Sequence, residues 1–489
     1  MTQNIVALSS IGRFKEMKPA SSGCASTGNS SCGSAAGPDD VAAEVWHKIQ
    51  DHPCYSEDAH HYFARMHVAV APACNIQCHY CNRKYDCANE SRPGVVSEKL
   101  GPEQALRKVL AVAAEVPQLS VLGIAGPGDA LAHAEKTFRT FELVRAALPH
   151  LKLCLSTNGL ALPDHVDRIA TMGIDHVTIT INMVDPEVGA RIYPWIFFRH
   201  QRWEGIEAAR ILHQRQMEGL EALTARGVLV KVNSVLIPGI NDEHLAAVNE
   251  AVRARGAFLH NVMPLISDPA HGTHFGLTGQ RGPTPAELRV VQDRLGSDAK
   301  LMRHCRQCRA DAVGLLGEDR GAEFSLDKLG DTKPFDPSQR DMYLSVVMRE
   351  RADRQKAKEM AQSPAATAET PVLVAIATKG GGRINQHFGH ATEFQIYEVT
   401  SAGAKFIGHR RTDKYCVGGH GEADAIAATI AALEGVTAVL CAKIGDNPRA
   451  RLAAAGIAVS DQYAFDYIEA SAITWYAARA RSAAVAASA

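Results

Sequence analysis

From Met66 onward, short apolar runs alternate with stretches of helical periodicity. The runs are MHVAVA (66–71), LSVLGIAG (119–126), LKLCLST (151–157), DHVTITIN (175–182), VLVKVNSVLI (228–237) and FLHNVMPLI (258–266). Between them lie helix-like segments such as EKLGPEQALRKVLAVAAEV (98–116) and a long helical stretch before residue 228. Six strand–helix units in series predict a parallel sheet with right-handed crossovers, because a parallel partner strand is reached only through a crossover helix. Six units fall short of a closed eight-stranded barrel, so the pattern predicts an α/β fold built on an incomplete (β/α)6 barrel. In LKLCLST the period-two alternation puts Cys154 and Ser156 on one face.

The flanks divide the chain further. Residues 1–45 are rich in Ser, Gly and Ala without apolar periodicity and read as a flexible arm. The barrel with its extensions then occupies 46–317, and 318–370 reads as a linker, part helix and part coil. A second pattern begins at PVLVAIAT and runs over 371–475 as strand, Gly-rich turn, strand, helix, strand, helix and strand, which predicts a small α/β domain. An Ala-rich tail fills 476–489.

Composition changes this picture little. Hydrophobic residues make up 46% and charged residues 21%, as in ordinary globular proteins. The formal net charge is -1, which gives nucleic-acid binding no electrostatic support. No apolar stretch is long enough to cross a membrane and the first twenty residues lack an apolar leader core, so a cytoplasmic protein is expected.

Chemistry concentrates where the strands end, as expected for such barrels. Cys74 follows the first strand, GPGD (126–129) the second, STNG (156–159) the third and Asn182 the fourth. Twelve cysteines occur in the chain, four of them in CNIQCHYCNRKYDC (74–87). Thiols so close together in a reducing compartment point to a metal rather than to disulfides. Cys74, Cys78 and Cys81 form CxxxCxxC, and three thiolates on a short loop can hold three irons of a cubane while leaving the fourth open. The alternative is a structural zinc site completed by Cys87.

CxxxCxxC after the first strand of such a barrel resembles the radical S-adenosylmethionine (radical SAM) superfamily. That resemblance implies a [4Fe-4S] cluster on Cys74, Cys78 and Cys81 that binds and reductively cleaves SAM. GPGD stands where the superfamily carries a GGE-type motif, with the Glu absent, so Gly126, Gly128 and Asp129 are expected near the SAM amino group. Ser156, Asn158 and Asn182 are expected near its carboxylate and ribose. HPCYS (52–56), the ESRP element within 74–94, TINMVDPEVGARIYPW (180–195) and CRQC (305–308) together resemble the nitrogenase-cofactor assembly family, NifB, over roughly residues 45–315. Residues 371–475 are similar to the NifX/NafY type of cofactor-carrier domain, whose fold is ribonuclease H-like.

The family resemblance implies that two further [4Fe-4S] substrate clusters are fused into an eight-iron core around a SAM-derived carbon. It also implies an Fe-S cluster donor, an electron-donating ferredoxin or flavodoxin, and a downstream carrier or scaffold of the NifX or NifEN type. Ligands for one substrate cluster are expected from Cys54, Cys87 and His52, with His60 and His61 as rivals to His52. Cys154, Cys305 and Cys308 are expected to serve the other, although a lone cysteine like Cys154 is usually a small buried hydrophobe. Glu90 and Arg92 of ESRP border the cavity in the family and are expected to act in catalysis; a surface ion pair is the plainer reading. His387, His390, Cys416 and His420 lie in Gly-rich loops of the C-terminal domain, as cluster ligands or solvated side chains. A different enzyme class remains open, a radical SAM peptide- or metabolite-modifying enzyme with auxiliary electron-transfer clusters, as does a non-catalytic cluster scaffold.

Overall fold

Alternation along six parallel strands gives one curved sheet two unlike faces. The computed structural model describes residues 42–82, 98–295, 309–316, 318–330, 334–362, 370–412, 416–417, 420–421 and 423–488. It divides into two compact units, Glu44–Tyr343 and a second from Leu344 onward, the division falling inside helix Pro337–Ala361.

The first unit contains β1 (Ala64–His67), β2 (Ile76–Gln77), β3 (Leu119–Ile124), β4 (Lys152–Thr157), β5 (His176–Thr180), β6 (Trp195–Phe198), β7 (Gln201–Glu204), β8 (Leu229–Leu236), β9 (Leu259–Pro264) and β10 (Val313–Gly314). The main sheet has the order β10-β1-β3-β4-β5-β8-β9, parallel throughout except for β10, which runs antiparallel along β1. Helices Pro102–Glu115, Ala134–Ala147, Val166–Thr171, Gly205–Thr224, Leu245–Ala254 and Pro285–Leu295 follow the six parallel strands. The curled, mostly parallel sheet is the half-barrel expected.

Met66, Leu122, Leu155, Val177, Val232 and Val262 point from the sheet into one apolar cluster, where burial of each large aliphatic side chain contributes roughly 1.5–3 kcal/mol. The alternate residues face the concave side and are polar: Arg65, His67, Ser156, His176, Thr178, Lys231, Asn233 and Asn261 are all buried there.

Two elements depart from the sequence expectation. The first strand is Ala64–His67 rather than 66–71, and part of the long helical stretch is instead a β-hairpin, β6 and β7, that joins β2 in a separate three-stranded sheet. The hairpin turn is Arg199–His200, both with positive φ (51° and 61°). Two-residue hairpin turns of that kind normally carry Asn or Gly, so no turn signal marked it.

The second unit is a small α/β domain. Its sheet comprises β11 (Val372–Ile376), β12 (Glu393–Val399), β13 (Ala404–Arg411), β16 (Ala438–Leu440) and β17 (Ala458–Ser460) in the order β13-β12-β11-β16-β17. Strands β14 (Cys416–Val417) and β15 (His420–Gly421) form a separate short pair. Helices Ala423–Ala432, Asp446–Ala454 and Ile468–Ser488 complete it. Both faces of this sheet are apolar: Ala375, Phe394, Ile396 and Val439 enter one cluster, and Val374, Ile376, Tyr397 and Leu440 the other.

Candidate radical SAM site

The cysteine loop leaves β1 and is held in shape by its own neighbours. Gln77 donates from Nε2 to the carbonyls of Cys78 and Cys81, at 2.9 Å each. Asn158, at the end of β4, places Nδ2 2.7 Å from Asn75 Oδ1 and 3.7 Å from Cys74 Sγ. The Cys78 thiol is pushed well above its ordinary pKa, first by burial and then by the Cys81 and Cys74 thiols beside it, against a hydrogen bond from Tyr80. A buried thiol with two others beside it suits a cation that would stabilise the thiolates. Three thiolates on one short loop suit a cubane, in which each meets a different iron. The loop therefore fits the [4Fe-4S] cluster of the expected chemistry.

The loop after β3 is locked against the cysteine loop. Gly128 N donates to Ala71 O and Asp129 N to Ala73 O, both at 2.7 Å. A Cβ on Gly128 would lie 2.1 Å from Ala73 O, so no side chain fits there. The Asp129 carboxylate accepts from Leu131 N at 2.9 Å, from the Thr157 hydroxyl at 3.0 and 3.1 Å and from Asn158 N. Burial raises its pKa, and those same hydrogen bonds oppose the rise. Asp129 thus clamps the ends of β3 and β4 together.

Asn182 is equally committed to the protein. Its Nδ2 donates to the hydroxyls of Tyr80 and Tyr193, both at 2.8 Å, and its Oδ1 accepts from Val235 N at 2.7 Å. Tyr80 in turn reaches Cys78, and burial followed by Cys78 raises the Tyr193 pKa. Sequence reasoning passed over both tyrosines; the aromatic residue between two loop cysteines was the available signal for Tyr80. Ser156, one alternation above Cys154, is buried on the concave face.

Below the cysteine loop the strand register lines up His67, Gly123, Cys154 and His176 across β1, β3, β4 and β5. The His67 ring lies over Gly123, where a Cβ would come within 2.5 Å of it. His67 Nδ1 is 3.1 Å from Arg309 O, and a carbonyl only accepts, so Nδ1 carries the proton and donates. That is the orientation of a metal-ligating histidine. His52 is oriented the other way: its Nδ1 accepts from Cys54 N at 3.2 Å, which puts the proton on Nε2. The His52 ring sits 4.2 Å from that of His176, and burial lowers the pKa of both well below the ordinary value, so both are neutral. Tyr55 closes this end of the barrel through its hydroxyl, 3.3 Å from the carbonyls of Val177 and Leu229.

The structure thus brings His52 toward Cys154, with His176 between them, while Cys54 is half-buried on the same segment as His52. His60 and His61 are buried with rings 3.9 Å apart. Cys87, Glu90, Arg92, Cys305 and Cys308 lie outside the described residues. Arg309, the residue after Cys308, is the one that meets His67, and the following segment runs along β1. In the second unit, His387 and His390 have ring centroids 4.7 Å apart, and Cys416 and His420 lie on β14 and β15.

Comparison with known proteins bears on the whole chain. Residues 68–252 match the radical SAM superfamily, and residues 370–477 match the family described as dinitrogenase iron-molybdenum cofactor. The chain is 65% identical to the FeMo cofactor biosynthesis protein NifB of Sinorhizobium fredii (strain NBRC 101917 / NGR234) over 92% of its length and 91% of that protein. It is 60% identical to the protein of the same name from Herbaspirillum seropedicae, covering 96% of this chain and 91% of that one. Identity to the Azotobacter vinelandii protein of that name is 54%, covering 96% of each. No helix among the described residues is long and apolar enough to cross a membrane.

Proposed function

On the premise that this chain belongs to the NifB family of FeMo cofactor biosynthesis proteins and is a radical SAM enzyme, we propose that it fuses two [4Fe-4S] substrate clusters around a SAM-derived carbide. The product is the eight-iron precursor of nitrogenase cofactors. The observation that carries this reading is the vertical arrangement: a three-thiol loop at the strand ends, and directly beneath it a concave face lined by Cys154, His67 and His176.

Cys74, Cys78 and Cys81 hold the resident cluster, whose chemistry is one-electron cleavage of SAM. Tyr80, anchored by Asn182, keeps a hydroxyl on Cys78, while Asn158 keeps an amide on Cys74. Asp129 fixes the Gly126–Gly128 turn so that its backbone can meet the SAM amino group, and Ser156 faces the same cavity. Glu90 and Arg92 of the ESRP element act on the reacting groups, as the family resemblance implies.

Cys154, Cys305 and Cys308 bind one substrate cluster. The hydrogen bond from His67 to the residue after Cys308 supports this grouping, because it ties the tail to the row that holds Cys154. Cys54 and Cys87 bind the other together with the imidazole of His52. The second unit receives and retains the product, and an Fe-S donor, a ferredoxin or flavodoxin and a NifX- or NifEN-type acceptor complete the set of partners in the cytoplasm.

The test is to add SAM to the reduced, cluster-loaded protein and analyse what leaves it. An eight-iron cluster carrying carbon from methyl-labelled SAM is expected. A modified peptide or metabolite in its place would overturn the proposal.

A further inference from the structure

The cysteine loop has an outer neighbour that the chemistry above leaves without a task. Strand β2, inside the loop, pairs with β6 through Ile76–Ile196 and Gln77–Trp195, and Phe197 N donates to Asn75 O at 2.7 Å. Asn75 is bonded covalently to Cys74. The hairpin β6–β7 is therefore joined by backbone hydrogen bonds to the residue beside a proposed cluster ligand.

Its outward side is unlike an ordinary solvated surface. Phe197 is 50% exposed at the strand that meets the loop. Arg199 and Arg202 stand over the rings of Phe198 and Trp195 at 5.2 and 5.0 Å. Arg199 has no acidic partner among the described residues, while Arg202 pairs with Glu204 in an exposed ion pair at 2.8 Å. Arg199 and His200 both hold positive φ, a strained conformation that Asn or Gly would adopt at less cost. A turn that keeps Arg and His at such positions keeps them for what they present. An exposed phenylalanine flanked by half-buried aromatic rings that carry arginines is the composition of interface anchors.

We propose that this hairpin is the docking surface for an acidic one-electron carrier protein that reduces the resident cluster. The inference rests on the radical SAM reading, since SAM cleavage consumes one electron per turnover. In the encounter the carrier loses that electron and the cluster gains it; no atom is transferred. The guanidinium of Arg199 draws in the negative face of the carrier. Phe197 packs against it, and the path inward runs from the Phe197 amide through the Asn75 carbonyl to Cys74.

The probe is a reduced ferredoxin of net negative charge, with dithionite as a donor that needs no docking surface. Stopped-flow mixing with the cluster-loaded, full-length protein, with freeze-quenched electron paramagnetic resonance, reads cluster reduction directly. Arg199→Glu with Arg202→Glu is expected to slow ferredoxin-driven reduction about tenfold at low ionic strength, with a smaller effect at high salt. Phe197→Ala is expected to weaken ferredoxin binding, measured by calorimetry, about tenfold. Dithionite-driven reduction should be unchanged in both. Ferredoxin-driven rates within twofold of the parent protein in both variants would overturn the docking surface. If the parent protein reduced by dithionite gives no SAM-responsive cluster signal, the functional reading fails instead, and the two failures are distinct.

Discussion

The two sheets of this chain have similar strands and opposite uses for their faces. The barrel sheet gives one face to an apolar cluster and fills the other with Arg65, His67, Cys154, His176, Lys231 and Asn233. The C-terminal sheet is apolar on both faces. Burying charged and polar side chains is unfavourable unless each finds a partner, so a sheet that does so keeps a face for something other than stability. Where both faces are core, chemistry is left to segments outside the sheet, which is where His387, His390, Cys416 and His420 occur.

The largest effect that would sharpen this contrast is at the loop itself. Cys78→Ala should reduce 5'-deoxyadenosine formation to background while removing only part of the bound iron, as chromatography and iron assay would show. Undiminished SAM cleavage would remove the thiol loop from the site. Next come the outer cysteines. Cys87→Ala, and Cys305→Ala with Cys308→Ala, should each abolish eight-iron product yet keep the SAM-dependent change in the resident cluster's paramagnetic resonance signal. A Cys87 variant that loses the SAM response would instead assign Cys87 to the resident cluster.

A smaller but decisive comparison is thermodynamic. Leu440→Ala, in the doubly apolar sheet, should destabilise its unit by about 2–5 kcal/mol in denaturant titrations. Lys231→Met, in the polar lumen, should cost less, because an apolar chain of similar length still fills the space. An equal loss from both would erase the distinction between the faces.

The smallest effect is in pH dependence, where one buried group in each unit acts at opposite ends. Burial pushes His260 down to about 4 from 6.5, so below 6.5 the unfolded chain takes up a proton that the folded chain refuses. Its contribution to stability is present above that range and is lost, at about 1.4 kcal/mol per pH unit, as pH falls toward 4. Cys441 is pushed up to about 12 by burial and then by Asp461. Above the ordinary thiol pKa the unfolded chain releases a proton the folded chain retains, so stability falls at a similar slope as pH rises. His260→Gln and Cys441→Ala should each flatten its own limb of the full-length protein's stability profile and leave the other limb alone.

Much of this was legible because parallel strands announce themselves. LKLCLST alternates cleanly, and its alternation puts Cys154 and Ser156 on one face, which in the structure is the concave one. The hairpin was not legible, because Arg-His at its turn carries no turn chemistry and WIFF followed by QRWE adjoins a helix-forming stretch. The polar residues at strand ends were legible as a group but not in their partners. Asp129 and Asn182 bond to groups 28 and 53 or more positions away, such as Thr157 and Val235, and no local pattern encodes such pairings. His67 was missed for the same reason: what distinguishes it is a carbonyl 242 positions along the chain.

The two hydrogen bonds from the Gln77 amide to the carbonyls of Cys78 and Cys81 bear on how the protein matures. A ligand loop already bent into shape by its own side chain loses little conformational freedom when iron arrives. Less of the ordering of this loop is then left for metal binding to supply. A Gln77→Ala chain would leave more of it, holding its iron less tightly although every cysteine is still in place.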